Sequence, residues 1–132
     1  MDYIALIRQK YGDACRVCPP LSKEDYEAAA QRLPAELLAI LQRSNGIEEL
    51  MTHPKVDDGK PFPIGYIVYS YQEILDTTAL VSELYGGEGI AFSGNGAGGY
   101  YVLKEDGTVW LYEYVGEEGE CVAEDLAQFF AK

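Results

Sequence analysis

The chain has 132 residues, of which 48% are apolar and 12% aromatic, and its formal charge is -12. This length and composition suit one ordinary domain with a hydrophobic core. Residues 1–60 carry 10 acids and 8 bases (net -2), whereas residues 61–132 carry 12 acids and 2 bases (net -10). So acidic a surface disfavours direct binding to nucleic acid or membranes and favours a basic protein partner. The alternative is that the charge only aids solubility.

The sequence predicts neither a signal peptide nor a membrane-spanning segment. The chain does not open on a basic segment followed by a long apolar run, and no window approaches the roughly 18 apolar residues of a membrane span. The three cysteines, Cys15, Cys18 and Cys121, have no disulfide-framework spacing. We therefore expect a cytoplasmic protein with reduced thiols.

Three helices are predicted in the first half of the chain. Apolar residues at helical spacing predict a first helix that ends near Gly12. After a loop over residues 13–21, Ser22 is the predicted N-cap of a second helix. Pro34 opens a third, with an apolar stripe of leucines, and Asn45-Gly46 is typical of a left-handed helix stop.

The second half predicts strands around one long helix. A proline-rich surface loop over residues 48–63 leads to a strand at 64–69. Ser70 and Glu73 form a capping box for a helix that ends near Tyr85. The remaining elements are a strand before a glycine loop, a hairpin over residues 100–114, an acidic turn at 116–119, a strand at 120–122 and a helix at 124–131. Strands clustered between helices predict an α+β fold, mainly antiparallel, with helices packed on the sheet.

The hairpin leaves its register open. A two-residue turn pairs Tyr101 with Tyr112, whereas a three-residue loop pairs Tyr100 with Tyr112. In both registers Trp110, Tyr112 and Tyr114 share one face. Because large aromatic side chains are mostly buried, the core is the favoured location of this face, and an exposed binding surface is the alternative.

The segment from Gly94 to Gly99 matches G-x-G-x-x-G. In a dinucleotide site these glycines lead directly into a helix, whose N-terminal N–H groups hold the pyrophosphate. Here a strand is predicted to follow, so we interpret the segment as a loop whose glycines permit positive φ or close packing. A small-molecule or nucleotide site on this loop is kept as a third functional alternative.

The sequence contains no convincing catalytic or metal motif. Cys15-x-x-Cys18 has no second pair, and His53 is the only histidine, so we predict no metal ion. A histidine-assisted nucleophile would need His53, but no G-x-S-x-G elbow and no P-loop are present. We therefore expect a protein without cofactor or catalytic residues.

Two segments together resemble the SUKH superfamily, the Smi/Knr-like domains best known as bacterial immunity proteins. LPAELLAILQRSNG at residues 33–46 is similar to that family's Leu-rich helix and Asn-Gly signature. IAFSGNGAGGYYVLKEDGTVWLY at residues 90–112 is similar to its Ser/Asn/Gly loop, aromatic strand and Asp-Gly hairpin, and AEDLAQFF at 123–130 resembles its last helix. The resemblance covers roughly residues 22–131 of a single domain, 1–132. It implies a structural role for Pro34, Asn45 and Gly46, and a shaped loop of Ser93, Gly94, Asn95 and Gly96.

The resemblance implies a non-enzymatic immunity protein, or antitoxin, that binds and neutralises a bacterial toxin domain. The acidic second half favours a toxin with a basic surface, such as a nuclease. The alternative is a scaffold or regulatory protein-binding module of the same fold. Interfaces favour aromatic anchors, and charge complementarity favours acids, so the candidate partner contacts are exposed tyrosines and acids: Asp57, Asp58, Tyr66, Tyr69, Tyr100, Glu113, Glu117, Glu118 and Glu120.

Overall fold

A computed structural model describes residues 1–115 and 117–131. These residues form five α-helices and seven β-strands. The helices are α1 (Tyr3–Tyr11), α2 (Lys23–Ala30), α3 (Ala35–Arg43), α4 (Tyr71–Tyr85) and α5 (Leu126–Ala131). The strands are β1 (Cys15–Val17), β2 (Ile47–Met51), β3 (Phe62–Val68), β4 (Ile90–Gly94), β5 (Tyr100–Leu103), β6 (Val109–Tyr112) and β7 (Glu120–Ala123). None of the helices in the described ranges has both the length and the apolar character needed to cross a bilayer.

The strands form two antiparallel sheets, with orders β1-β2-β3 and β4-β5-β6-β7. The predicted α+β class is therefore confirmed, with the strands divided between two sheets. The sheets meet at the end of β3, where the Tyr69 N–H donates to the Phe92 carbonyl of β4 at 2.8 Å. The hairpin of β5 and β6 has the three-residue loop, because Tyr100 pairs with Tyr112 and Lys104 N–H donates to Thr108 O at 2.9 Å.

Two segments that were predicted to be loops contain strands, so these two predictions were wrong in part. β1 lies within the predicted loop at 13–21, and β2 covers the first four residues of the one at 48–63. β1 has only three residues and β2 carries two adjacent glutamates, so neither shows the apolar alternation of an independent strand. Pairing between them supplies the stability instead, including an ion pair of 3.0 Å between the facing side chains of Arg16 and Glu48.

The predicted helix starts follow from side-chain capping. Ser22 Oγ accepts a hydrogen bond from Asp25 N–H at 3.2 Å, and Ser70 Oγ accepts one from Glu73 N–H at 3.3 Å. Pro34 differs slightly from the prediction, because it is the extended N-cap of α3 and not its first helical residue. The terminal helix likewise begins at Leu126, two residues later than predicted.

Asn45 and Gly46 connect the end of α3 to the start of α4. The helix ends at Arg43, and the left-handed turn comes at Gly46, with φ +101°. A side chain on Gly46 would also lie 3.1 Å from the backbone nitrogen of Ser70. Asn45 Oδ1 accepts a hydrogen bond from the Tyr71 N–H at 2.8 Å, and thus satisfies a donor in the first turn of α4.

We expect Asn45→Ala to lower the free energy of unfolding by about 1–2 kcal/mol, because it leaves a helix N-terminal donor without its acceptor. Asn45→Asp keeps the acceptor and adds a negative charge at a helix N-terminus, so it should cost less. Urea denaturation of both variants measures the difference. Equal losses would show that this hydrogen bond does not stabilise the junction.

The main core lies between the helices and both sheets. Its largest fully buried side chains include Phe92 of β4, Ile7 of α1 and Leu37 of α3. A smaller cluster lies between α4 and the opposite face of the second sheet, with Val81, Ala91, Val102 and Tyr112 at its centre. The second sheet therefore packs against other elements on both faces. The open surface considered below lies where the two sheets meet.

The face shared by Trp110, Tyr112 and Tyr114 changes from core to surface along β6. Tyr112 is buried against Tyr85 of α4, with ring centroids 5.2 Å apart. Trp110 is half-buried, and Lys104 Nζ lies 4.4 Å from the centroid of its ring. Tyr114 lies beyond the strand and is 64% exposed. The favoured core location is thus confirmed for Tyr112, holds in part for Trp110 and is wrong for Tyr114.

Candidate functional site

A cleft of about 1100 Å³ lies where the two sheets meet, and we call it the inter-sheet cleft. Strands β2 and β3 line it from the first sheet, strands β4, β5 and β7 from the second, and α1 and α5 complete it. Six aromatic side chains contribute to its lining: Tyr11, Tyr66, Tyr69, Tyr101, Phe129 and Phe130. A concave, aromatic surface of this kind is typical of a binding site.

Ring contacts hold these aromatic side chains in place. Tyr66 packs edge-on to Tyr69, with centroids 5.9 Å apart. Tyr101 packs against Phe129 at 4.7 Å, and Phe129 packs against the buried Phe92 at 5.3 Å. Edge-to-face pairs at these distances are favourable beyond the burial of their area. The aromatic lining of the cleft is therefore ordered.

The tyrosines of the cleft remain protonated at neutral pH. Burial raises the pKa of Tyr69 to about 12, and the neighbouring Tyr100 adds to the effect. Burial also raises the pKa of Tyr11, Tyr66 and Tyr101, with nearby carboxylates contributing in each case. Each hydroxyl is therefore a neutral group that can donate a hydrogen bond to a ligand, and none is suited to act as a base.

We expect the stability of the protein to fall as the pH rises through the window from about 10 to about 12. Over this window an unfolded tyrosine loses its proton, whereas folded Tyr69 retains it, so alkali favours the unfolded state. Urea denaturation at several pH values measures the slope. Tyr69→Phe should reduce it, and an unchanged slope in this variant would contradict the assignment to Tyr69.

Carboxylates line the cleft on both sides. Glu49 belongs to β2 and Glu120 to β7, and Lys10 of α1 is a cation of the same lining. Within residues 1–115 and 117–131, neither Glu49 nor Glu120 forms an ion pair. Glu48, by contrast, is occupied by Arg16 and by the Cys18 thiol. The cleft thus holds two carboxylates that are free to bind a cation.

The glycine loop forms one rim of the cleft. Asn95 Oδ1 accepts hydrogen bonds from the N–H groups of Ala97 at 2.9 Å and Gly99 at 2.8 Å. Gly94 lies so close to Tyr69 that a side chain on it would meet the Tyr69 hydroxyl oxygen at 2.5 Å. Strand β5 follows the loop, so the prediction that G-x-G-x-x-G does not open a helix is confirmed. Two donors that a phosphate would need are already used within the loop.

The cleft brings together some of the predicted site residues. Tyr66, Tyr69 and Glu120 line it, together with all four loop residues: Ser93, Gly94, Asn95 and Gly96. Exposed anchors were expected among Tyr66, Tyr69 and Tyr100, but each of the three is half-buried: Tyr66 and Tyr69 where the sheets meet, and Tyr100 beneath α4. The role of these residues in partner binding stays a prediction.

The other predicted contacts lie outside the cleft. Tyr100 belongs to the cluster beneath α4, because successive residues of a strand point to opposite faces. Glu117 and Glu118 line a separate hollow beside Trp110 and Lys104. Asp57 and Asp58 are exposed on the turn between β2 and β3, both with positive φ. Glu113 is exposed, and Gly116 of the predicted acidic turn lies outside the described residues.

The cysteines and the histidine do not form a metal site in the part of the chain that the structure describes, where no group of three or more metal-binding side chains comes together. Cys15 Sγ donates to Gly12 O at 3.4 Å, and Cys18 Sγ donates to Glu48 Oε1 at 3.3 Å. Burial, with the hydrogen bond to Glu48, raises the pKa of Cys18 to about 11. This thiol is therefore protonated and a poor nucleophile or metal ligand at neutral pH.

A family model described as SMI1 / KNR4 family (SUKH-1) matches residues 20–132. The chain belongs to the SUKH-1 family. The match covers most of the chain and agrees with the resemblance drawn from the helix, loop and hairpin motifs. No curated protein matches this SUKH-1 chain.

Helix α1 and strand β1 precede the part that the SUKH-1 model matches, yet they belong to the same structure. Tyr3 of α1 packs against Phe130 of α5, with centroids 5.8 Å apart. Lys10 and Tyr11 line the cleft. This SUKH-1 protein thus builds part of its cleft from residues outside the matched range.

Sequence reasoning missed several residues of the cleft. Tyr11 was one of the residues whose helical spacing predicted the first helix, and Glu49 fell in a predicted loop. Tyr101 was considered only as the partner of Tyr112 in one of the two hairpin registers. One signal for Tyr101 was available. Tyr100 and Tyr101 are neighbours in a predicted strand, so their side chains point to opposite faces of the sheet, and one of the two had to lie on the face away from α4.

Proposed function

We propose that this SUKH-1 protein is a non-enzymatic immunity protein that binds a toxin domain and blocks its active site or substrate access. The observation that carries the proposal is the inter-sheet cleft, with its ordered tyrosines and unpaired carboxylates, on a chain of net charge -12. Tyrosine is a frequent hot-spot residue of protein interfaces, and negative potential complements a basic partner.

A toxin that acts on nucleic acid is the partner that this charge fits best. Such an enzyme needs a basic surface to hold phosphates, and an acidic protein would be attracted to that surface. The acids in the turn before β7 and on the cleft would accelerate the encounter, while the aromatic lining would slow dissociation.

The chemistry of the cleft supports binding more than catalysis. Its tyrosines have raised pKa values and are poor general bases, and the Cys18 thiol beside β2 is held protonated. Nucleotide binding by the glycine loop is disfavoured because Asn95 already occupies the N–H groups of Ala97 and Gly99.

An affinity pull-down of tagged protein from its native lysate, at low and high salt, tests the proposal. Mass spectrometry should identify a basic toxin or its C-terminal fragment, with lower recovery at high salt. Co-expression of that toxin domain then separates two functions. An immunity protein restores growth, whereas a scaffold or regulatory module binds its partner without protecting the cell.

Neutralising the acids of the β6–β7 region tests the electrostatic part of the proposal. We expect the triple variant Glu117→Gln, Glu118→Gln, Glu120→Gln to associate with the partner more slowly and with a weaker salt dependence. The matched control changes three exposed glutamates on α2 and α4, namely Glu24, Glu27 and Glu83. If both triple variants change the association rate equally, net charge and not this surface is responsible.

A further inference from the structure

We propose that the inter-sheet cleft binds an arginine side chain of the partner, with the guanidinium stacked on tyrosine rings and paired with Glu49 and Glu120. This inference rests on the proposed function only in taking the partner to be a protein. The inference names the chemical group that the cleft binds, a guanidinium, and the binding of this group can be tested without the toxin.

The first argument is the unbalanced charge of the cleft. Glu49 and Glu120 line it from different sheets, and neither has an ion-pair partner in the described ranges. The only cation of the lining within these ranges is Lys10, whose Nζ lies 5.4 Å from the centroid of the Tyr11 ring. The lining therefore carries one more negative than positive charge, and a single incoming cation balances it.

The second argument is the position of the carboxylates relative to the tyrosines. Glu49 belongs to the same lining as Tyr11, and its charge is one of the causes, after burial, of the raised pKa of Tyr11. Aromatic faces attract cations, and a neighbouring carboxylate strengthens the attraction. The protein has a cation–π contact of this kind outside the cleft, where Lys104 Nζ lies 4.4 Å from the centroid of the Trp110 ring.

The third argument selects arginine over lysine. A guanidinium is planar, loses its hydration more readily than an ammonium, and can stack on an aromatic ring while its five N–H donors reach several acceptors. The residues that line the cleft include several with acceptor oxygens, namely the two glutamates and four tyrosines. An ammonium could satisfy the charge but could not stack on the rings while bonding to both sheets.

The test uses N-acetyl-arginine amide as the probe, with N-acetyl-lysine amide as its matched competitor. Backbone amide NMR of the full chain follows the titration. We expect saturable shifts at Gly94, Asn95 and Tyr101 with the arginine probe, and binding at least about five-fold weaker with the lysine probe. The double variant Glu49→Gln, Glu120→Gln should weaken arginine binding about ten-fold.

The control variant Glu24→Gln, Glu27→Gln removes the same charge from exposed positions on α2, outside the cleft, and should leave arginine binding unchanged. The dispersion of each variant's spectrum shows whether it is folded. Absence of shifts at the cleft, equal binding of the lysine probe, or equal loss in the two double variants would overturn the proposal.

The outcomes also separate this inference from the proposed function. If the protein protects cells against a toxin but the arginine probe does not bind, the arginine site is wrong and the immunity function stands. If the probe binds the cleft but the recovered partner is not a toxin, the arginine site stands and the immunity function is wrong.

Discussion

Replacing Phe92 with alanine is expected to lower the free energy of unfolding by about 3–5 kcal/mol. The Phe92 side chain is fully buried in β4 and lies against Phe129 and Phe130 of α5, with ring centroids 5.3 and 6.2 Å away. Its carbonyl accepts the hydrogen bond from Tyr69 that joins the sheets. The cavity left by the ring would therefore open at the junction that supports the cleft.

Urea denaturation measures this loss, and Leu80→Ala is its control. Leu80 lies on α4 and is 41% exposed, so its truncation should cost much less than that of Phe92. Phe92→Leu keeps most of the apolar volume and should lie between the two. A loss at Phe92 no larger than at Leu80 would contradict the packing described for the junction of the sheets.

Reversing the two cleft carboxylates should have the largest effect on partner binding. We expect Glu49→Lys with Glu120→Lys to weaken affinity for the partner about 100-fold or more, since each substitution opposes a cation with another cation, at a half-buried position for Glu49 and at an exposed one for Glu120. The loss should appear mainly in the dissociation rate, which binding kinetics at fixed ionic strength would measure.

A matched charge reversal separates the cleft from the overall charge. Glu24→Lys with Glu27→Lys on α2 changes the net charge by the same amount, and both residues are exposed outside the cleft. We expect this control to alter the association rate slightly and affinity by less than about ten-fold. Equal losses in the two double variants would mean that the partner does not enter the cleft.

Local chemistry made most of the helices predictable from the sequence. Ser22 and Ser70 each cap a helix through a hydrogen bond to a backbone N–H three residues later, so the signal and its cause are adjacent in the chain. The hairpin of β5 and β6 was likewise predictable from its Asp-Gly turn. Strands β1 and β2 were not, because their stability comes from pairing between segments about 30 residues apart.

The site depended on information that no local pattern contains. The motif loop and Tyr69 could be selected from the sequence, but their neighbours in the cleft come from α1, β2 and α5. Glu49 and Glu120 are more than 70 residues apart in the sequence and line the same cleft only because the two sheets are joined at Phe92. Tyr101 faces the cleft only in the three-residue hairpin register, which the sequence left open.

The most direct test of the immunity function is a growth measurement. The cells express the toxin domain that the pull-down recovers, with or without this protein. Co-expression of the wild-type chain should restore growth, as should the α2 control with lysine at positions 24 and 27. The cleft variant Glu49→Lys, Glu120→Lys should remain folded and fail to protect. Continued toxicity in the presence of the wild-type chain, despite binding of the toxin, would contradict the immunity function.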